Sequence, residues 1–515
     1  MVQMRSRREQ VDAHRYTTQR MNLALLMANP ESTERPLRRV GMSIFASTMI
    51  MVIIMGIFLL VGLLGFGSSE PEHGNIVMDR DTGEVYIYEH QTPGDPNSPL
   101  VLFPVLNYTS ALLALDFDPT GEPPVQRLKQ DSIDPIPKAH PIGIVGAPSA
   151  PTRNLDQDSK WNVCSIQAQD DHDFLFTQVA HANLSGGESL AENEAMLVHT
   201  EQGDQYLLWN NQRMAIPDSS ALTPFGWHSS SDSTEVTKEF LNTLVAGPDF
   251  WHPDLPEFGE DSGESLNSEP IAYGTPVTDG ENHYVLIRNS DDNPEFARIS
   301  PMIAQLLEVD SVGDLTQATL AELSRIGTEA TVHLENANFP QDIDQLRTLD
   351  GPRPTVCGVF EPHLSQSDSQ VKVTTFAVAP SFLTDAADNQ EFTDEGDLIT
   401  GNPAQIVMKG GTGALVQAQP RPGQNLAPAQ FLVDDLGIKY ELVDYKAPGE
   451  TKNKLGYNDV EPVGIPSSFI HLMPPGPNLD PFEARGQLNP TEEFDPYDPG
   501  EDDEDDDDGD GESDE

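Results

Sequence analysis

Hydrophobic and polar positions divide the chain into two very different parts. Residues 40–69 carry no charged side chain, and the apolar run GMSIFASTMIMVIIMGIFLLVGLLGFG lies within them. At about 1.5 Å per residue this run is long enough to cross a hydrocarbon core of about 30 Å. A secretory signal peptide has a shorter apolar region that lies closer to the N-terminus. The run therefore predicts a single membrane-spanning helix.

Beyond residue 69, short apolar runs alternate with polar turns. The chain contains 43 Pro and 39 Gly, most of them in this part, and both residue types interrupt helices and mark turns. The expected fold class is therefore α+β and β-rich, with short helices and many loops.

One pattern recurs in this part: an apolar strand, a polar turn and a second strand, beginning at residues 85, 206, 283 and 431. The copies that begin at 206 and 431 each end on a Gly-Pro pair, at 247–248 and 476–477. Each unit has too few strands to bury a core alone, so neighbouring units or a partner must cover it. We expect small repeat modules in an elongated region that serves binding or assembly.

Charge indicates the orientation in the membrane. Before residue 41 there are eight Arg and four acidic residues, and such an excess beside a span favours a cytosolic N-terminus. The remaining chain has 21 basic and 80 acidic residues. This balance disfavours binding to nucleic acid and anionic lipid.

The charge pattern also predicts four regions. Residues 491–515 contain 16 acidic and no basic side chains, a composition typical of a disordered tail. We expect a cytosolic N-terminal helix over 1–39, a transmembrane helix over 40–68, an extracytoplasmic region over 69–490 and an acidic tail over 491–515.

The only two cysteines, Cys164 and Cys357, both lie in the predicted external region. Thiols outside the cytosol are usually oxidised, so we expect a disulfide between them. Two buried free thiols are the alternative. Two cysteines without a second pair of ligands at metal-binding spacing are too few for a zinc site.

Motifs for catalysis are absent from the sequence. It contains no GxxxxGK[ST], no Gly-Lys dipeptide, no GxSxG, no HExxH and no GxGxxG after a strand. The cluster Asp170–Asp173 is expected to be an exposed acidic turn and not a metal site. The sequon at Asn107 lies before a predicted helix, so Asn107 or Thr109 is expected to cap that helix. We predict no catalytic, cofactor-binding or metal-binding residue.

The stretch REQVDAHRYTTQRMNLALL, residues 8–26, contains neither Gly nor Pro and predicts a helix before the span. The predicted helix is only modestly amphipathic. Composition alone leaves two roles open, a docking element or an Arg-bearing flank that fixes topology.

Short motifs occur in an order that resembles a known family: RREQVDAHRYTTQR, the span, GEVYIY, FPVLNYTSALLAL, GIVGAPSAP, WNVC, ALTPFGW, LVDDLGIKY and IPSSFIHLMPPGPNLDP. The chain resembles EccB, a core membrane component of type VII (ESX) secretion systems of actinobacteria. The resemblance covers residues 5–485. The acidic tail lies outside the family pattern.

The resemblance implies a structural subunit, without a cofactor, of a six-fold plasma-membrane complex that exports WXG100-type proteins. In such a complex the N-terminal helix packs on EccC, EccD and EccE, and Arg15, Tyr16 and Arg20 would be its contact residues. The external region would hold four repeat modules around a central domain, and the family's disulfide matches Cys164 and Cys357.

Two alternatives to a purely structural role stay open. ATP hydrolysis has been proposed for EccB-like proteins, although this chain has no phosphate-binding loop and EccC would be the motor. The second alternative is a membrane anchor that binds the cell envelope, because family modules resemble cell-wall-binding subunits of phage lysins. On the sequence, we do not expect an enzyme.

Overall fold

The computed structural model describes residues 7–27, 36–63, 70–92, 95–118, 121–167, 174–227, 233–289, 291–310, 314–328, 338–342, 346–349, 353–362, 371–387, 398, 401–419 and 428–486. The predicted acidic tail lies outside these residues. The chain divides into two compact units, of which the first contains Met1–Glu72, Asp79–Thr82 and Arg127–Ile136. The second unit contains most of the β structure.

Two long helices form the N-terminal part of the first unit. Helix α1 (Arg7–Met27) has Glu9 in its first turn, where a negative charge favours the helix dipole. Helix α2 (Pro36–Leu63) has Pro36 at its start, where the missing N–H costs no hydrogen bond. Within α2, Val40–Ile57 is unburied, and among the described helices α2 alone is long and apolar enough to cross a membrane.

Four segments beyond residue 72 repeat one order of elements, and we call them modules 1 to 4. Each has three antiparallel strands, then a helix, then a fourth strand beside the first strand. Module 1 contains β1 (Asn75–Asp79), β2 (Val85–His90), β3 (Leu100–Pro104), α3 (Tyr108–Ala114) and β4 (Val125–Leu128). Helix α4 (Gln130–Ile133) follows in the chain and belongs to the first unit.

The middle of the chain contains part of a central sheet and two more modules. The central strands are β5 (Trp161–Gln167), β6 (Leu175–His181) and β7 (Glu188–Ser189). Module 2 contains β8 (Glu194–His199), β9 (Gln205–Trp209), β10 (Gln212–Ala215), a 3-10 helix (Ser219–Phe225), β11 (Thr234–Glu235), α5 (Lys238–Leu241) and β12 (Val245–Ala246). After a hairpin of β13 (Asp261–Leu266) and β14 (Glu269–Ala272), module 3 contains β15 (Pro276–Thr278), β16 (His283–Arg288), β17 (Pro294–Ile299), α6 (Pro301–Val309), β18 (Thr316–Gln317) and α7 (Leu320–Ile326).

The last part of the chain completes the central sheet and forms module 4. Strand β19 (Arg347–Thr348) pairs with β8. The remaining central elements are β20 (Thr355–Phe360), β21 (Lys372–Phe376), α8 (Ser381–Ala387) and β22 (Gln405–Val407), and the sheet order is β22-β6-β5-β20-β21-β7. Module 4 contains β23 (Ala414–Ala418), β24 (Gln430–Val433), β25 (Lys439–Glu441), α9 (Glu450–Lys454), β26 (Val463–Ile465), α10 (Ser467–Leu472) and α11 (Pro481–Arg485). The predicted β-rich α+β class is confirmed.

The repeat exists, but it begins one strand earlier than the sequence indicated. The expected starts at 85, 206, 283 and 431 fall on β2, β9, β16 and β24, each the second strand of its module. In modules 2, 3 and 4 the fourth strand runs parallel to the first, as β11 with β8, β18 with β15 and β26 with β23. The second strand is central in each meander, because it pairs with both the first and the third strand.

An extended segment also closes the free side of the third strand. The segment after α4 runs parallel to β3, β12 runs parallel to β10, and residues 475–479 run parallel to β25. At Gly476 a Cβ atom would lie 2.4 Å from the Tyr440 ring. Only glycine therefore allows this close approach, and the predicted Gly-Pro pairs mark these closing segments.

The modules share their hydrophobic cores. Modules 1 and 4 form one cluster, in which Ile87 and Phe103 join Leu432 and Leu479. Modules 2 and 3 form another cluster, and both modules 2 and 4 pack with the central sheet in a third. Sharing explains how meanders of three short strands become stable, because a small sheet exposes one apolar face unless a neighbour covers it.

A disulfide joins Cys164 and Cys357 at the middle of the central sheet. The two residues are directly opposite on the antiparallel strands β5 and β20, and both are fully buried. The bond links positions 193 residues apart in the chain. It therefore fixes two strands between which modules 2 and 3 are inserted.

Candidate assembly surfaces

Helix α1 presents the residues that the sequence singled out for docking. Arg15, Tyr16 and Arg20 are all exposed, and Tyr16 has 59% of its surface accessible. The Arg20 guanidinium lies 5.3 Å from the centre of the Tyr16 ring, as expected for positions four apart on a helix. Arg15 precedes Tyr16 on the neighbouring face. Tyr16 and Arg20 thus form an exposed cationic and aromatic pair on one face of the helix.

The end of the described chain forms a second surface, between modules 4 and 1. We call residues 474–485 the C-terminal strap. Its backbone pairs with β25, since the N–H of Gly476 donates to the carbonyl of Lys439 at 2.8 Å and that of Leu479 to Glu441 at 2.7 Å. The strap ends in α11, which packs against α3 of module 1. Leu479 and Ala484 are fully buried there.

Cationic side chains of module 4 reach the last carbonyls of α3. Lys454 Nζ donates to the Leu113 carbonyl at 3.3 Å, and Arg485 Nε donates to the Ala114 carbonyl at 3.0 Å. These carbonyls lie at the helix end without intrahelical partners and carry partial negative charge, so cations are favourable there. Lys454 also pairs with Glu450 at 2.7 Å.

Burial and pairing together shift the pKa values in this cluster. The Lys454 side chain is 2% exposed, and burial lowers its pKa against the opposing effect of Glu450. Burial acts to raise the pKa of Glu450, but the hydrogen bond from Lys454 and the backbone N–H of Lys446 outweigh it, so the pKa lies below its ordinary value. Glu450 is therefore ionised at neutral pH.

The junction of modules 2 and 3 is aromatic. Phe250 is fully buried, and its ring centroid lies 5.6 Å from that of Phe225, 6.3 Å from Trp227 and 5.8 Å from Phe339. The ALTPFGW motif supplies two of these rings. In this chain the motif therefore has a packing role.

Two features of the described residues bear on metal and nucleotide binding. Among them there is no group of three or more His, Cys, Asp or Glu placed to hold a metal ion. An open cleft of about 540 Å³ lies beside Trp209, and its described lining contains two acids and no Lys or Arg: Glu192, Asn193, Trp209, Asn210, Pro340, Gln341, Asp342 and Leu346. Such a lining disfavours a nucleotide phosphate, which needs cations or clustered backbone N–H groups.

Other sequence predictions fall in different places. Asn107 is the N-cap of α3, accepting a hydrogen bond from the backbone of Ser110 at 2.8 Å, and its amide donates to Ile144. The acidic cluster 170–173 lies outside the described residues. Sequence reasoning missed Lys454 and Arg485, because Glu450 and Lys454 resemble an ordinary surface pair with i,i+4 spacing.

An apolar helix long enough to cross a membrane, an exposed helix before it and modules that share their cores define the class: a membrane-anchored assembly protein. Residues 3–489 match the model of the family described as "Type VII secretion system ESX-1, transport TM domain B". The chain belongs to this family, and the predicted EccB membership is confirmed.

Curated relatives are consistent with this family assignment. The protein named "ESX-5 secretion system ATPase EccB5" from Mycobacterium tuberculosis (strain H37Rv) is 24% identical over 496 residues, 93% of each chain. The protein of the same name from Mycobacterium marinum is 24% identical over 502 residues, again 93% of each.

Two solved structures have a similar fold. A chain of an intact ESX-5 inner membrane complex, a composite C3 model, has a TM-score of 0.57 at 21% identity, covering 94% of this chain and 96% of that one. The EccB3 dimer of the ESX-3 core complex has a TM-score of 0.57 at 22% identity, covering 80% and 99%.

Proposed function

We propose that this protein is a structural subunit of a type VII (ESX) secretion membrane complex, which exports WXG100-type proteins. The family match over residues 3–489 carries the proposal. Its support is that the matched region includes α1, α2 and all four modules. The protein contributes scaffold and contact surfaces to the complex.

The proposed topology is a single pass of the plasma membrane. Residues 1–39 lie in the cytosol, 40–68 cross the bilayer, 69–490 form the extracytoplasmic region and 491–515 form an acidic tail. The excess of Arg before the span supports this orientation. A cysteine introduced at Arg7 in a cysteine-free variant should resist a membrane-impermeant thiol reagent in intact cells. Labelling of this cysteine would indicate the opposite orientation in the membrane.

In this proposal α1 docks on other membrane components, of the EccC, EccD and EccE types, through Arg15, Tyr16 and Arg20. The external modules associate with further copies in a six-fold complex. Support comes from the exposure of the three side chains and from the relatives found in an ESX-5 inner membrane complex and in an EccB3 dimer.

Purification of the tagged protein from its own cells in mild detergent tests the proposal. Native gels and mass spectrometry should detect a very large complex with an EccC-type ATPase and an EccD-type membrane protein. Recovery of the chain alone as a monomer or dimer would contradict a role as a complex subunit.

The docking surface is tested by replacing Arg15, Tyr16 and Arg20 together with Ala. The variant should insert normally but lose the large complex. The matched control replaces Arg7 and Arg8, which are exposed on the same helix, with Ala. If both variants assemble equally well, α1 serves only as a topology signal.

ATP hydrolysis is the second candidate function, because the curated relatives carry "ATPase" in their names. Purified protein free of an EccC-type ATPase decides between the candidates. We expect no hydrolysis above a sample of the same protein lacking residues 69–515. Hydrolysis that co-purifies with the full chain alone would favour the enzyme.

A further inference from the structure

The last residues of the described chain complete its first module. Module 1 contributes Ile76, Ile87 and Phe103 to a core that it shares with Leu432 and Leu479 of module 4. Every residue of α3 from Thr109 to Ala114 is buried. The apolar side of this helix is therefore covered by a module that comes more than 300 residues later in the chain.

We propose that the C-terminal strap, residues 474–485, is a head-to-tail latch, and that module 1 reaches its stable fold only after the strap has docked on it. The strap supplies Leu479 and Ala484 to the shared core. It also supplies Arg485, which donates to the Ala114 carbonyl at 3.0 Å.

The polar contacts explain why apolar cover alone is insufficient. The carbonyls of Leu113 and Ala114 lie at the end of a buried helix, and a buried carbonyl without a donor costs the free energy of its lost hydration. Lys454 and Arg485 satisfy these two carbonyls from positions 341 and 371 residues away. Without module 4, the end of α3 must open to water.

Because of the order of these elements in the chain, the contact can form only when the chain has been synthesised through residue 485. Module 1 is the first external module to leave the membrane span, and the strap is the last described segment to follow. A chain that stops before residue 474 leaves the apolar face of module 1 partly uncovered. Uncovered apolar surface of this kind is a target for proteases and aggregation.

The test compares two deletions in the otherwise full chain. One removes residues 474–515 and the other removes only 487–515, so the difference between them is the strap and Gly486. Hydrogen exchange with mass spectrometry reports the protection of β1–β3, with β15–β17 of module 3 as the internal reference. Strap removal should accelerate exchange in β1–β3 at least about tenfold and leave β15–β17 unchanged. Removal of the tail alone should change neither region.

A pair of point variants distinguishes loss of the strap contact from a general loss of stability. Arg485→Gln should accelerate exchange in β1–β3 about threefold or more, because it removes the charged donor to α3. The control is Arg325→Gln, which removes the 2.7 Å ion pair between α7 of module 3 and Glu264 in β13. That control should leave β1–β3 unchanged.

Three results would count against the proposal. Full protection of β1–β3 after strap removal would mean that module 1 folds without it. Loss of protection in β1–β3 and β15–β17 together would mean that the strap stabilises the whole external region. Adding a synthetic peptide of residues 474–486 to the truncated protein should restore protection in β1–β3, and failure of this rescue at saturating peptide would also count against the latch.

Discussion

The two module junctions use different chemistry for the same task. Modules 2 and 3 join through stacked rings, with Phe250 among Phe225, Trp227 and Phe339. Modules 1 and 4 join through an apolar core and through cations that reach the end of α3. The stability of the ring packing depends on buried area and on shape complementarity. The contacts at α3 depend also on the protonation state of the side chains that form them.

This difference follows from where each junction lies in the chain. Modules 2 and 3 are consecutive in the chain, and the connection that contains the β13–β14 hairpin keeps them near one another. Modules 1 and 4 lie at opposite ends of the external region, so their contact must be specific. Charge-assisted hydrogen bonds add geometric specificity to an apolar contact.

The largest effect should come from breaking the aromatic junction. Phe250→Ala removes a fully buried ring and should lower the free energy of unfolding by about 3–5 kcal/mol. Thermal unfolding of the purified external region measures this loss. Val245→Ala, at a residue 60% exposed, is the control and should stay within about 0.5 kcal/mol of the parent protein. Equal stability of the two variants would contradict the packing role of Phe250.

Removing the buried cation should break the other junction. Lys454→Met leaves Glu450 ionised and without its partner, at a cost of about 3 kcal/mol. Hydrogen exchange should place the loss in β1–β3 and not in module 3. The double variant with Glu450→Gln removes the uncompensated charge and should recover at least half of the stability. If the single variant is as stable as the parent, the pair contributes nothing to the junction.

The disulfide provides a third case to set beside the two module junctions, because it lies in neither of them. Replacing Cys164 and Cys357 with Ser should lower the free energy of unfolding by about 2–3 kcal/mol, since the bond restricts a long loop in the unfolded chain. Thermal unfolding with and without reductant measures it. Reductant should destabilise the parent protein and leave the variant unchanged. An unchanged melting temperature in the variant would remove any stabilising role of the bond.

Acid should have the smallest effect, and it should act on one junction. The pKa of Glu450 in the folded protein lies below its ordinary value of 4.5, so the folded state favours the ionised form. This contribution is complete above pH 4.5 and is lost as the pH falls through the lower folded pKa. The protection of β1–β3 against exchange, corrected for the intrinsic exchange rate at each pH, should therefore fall as the pH drops below 4.5. Glu450→Gln should weaken this dependence, and an unaltered profile would exclude Glu450 as its source.

Much of the fold could be predicted from local pattern, and less of the candidate site. The apolar run predicted α2, and the strand runs revealed the repeat, although they placed the start of each module one strand too late. Arg15, Tyr16 and Arg20 entered through the family resemblance. Lys454 and Arg485 carried no local signal, because nothing near them in the chain indicates that α3 will lie beside them.

The sequence by itself determined the properties that depend on neighbouring residues: the apolar helix, the β-rich modules, the Gly-Pro pairs of two closing segments and the excess of acidic charge. Tertiary structure alone decided which modules share a core, and that the end of the chain closes its beginning. The physical reason is that hydrophobic burial is non-directional. An apolar strand face requires cover, and only the assembled fold selects the surface that provides it.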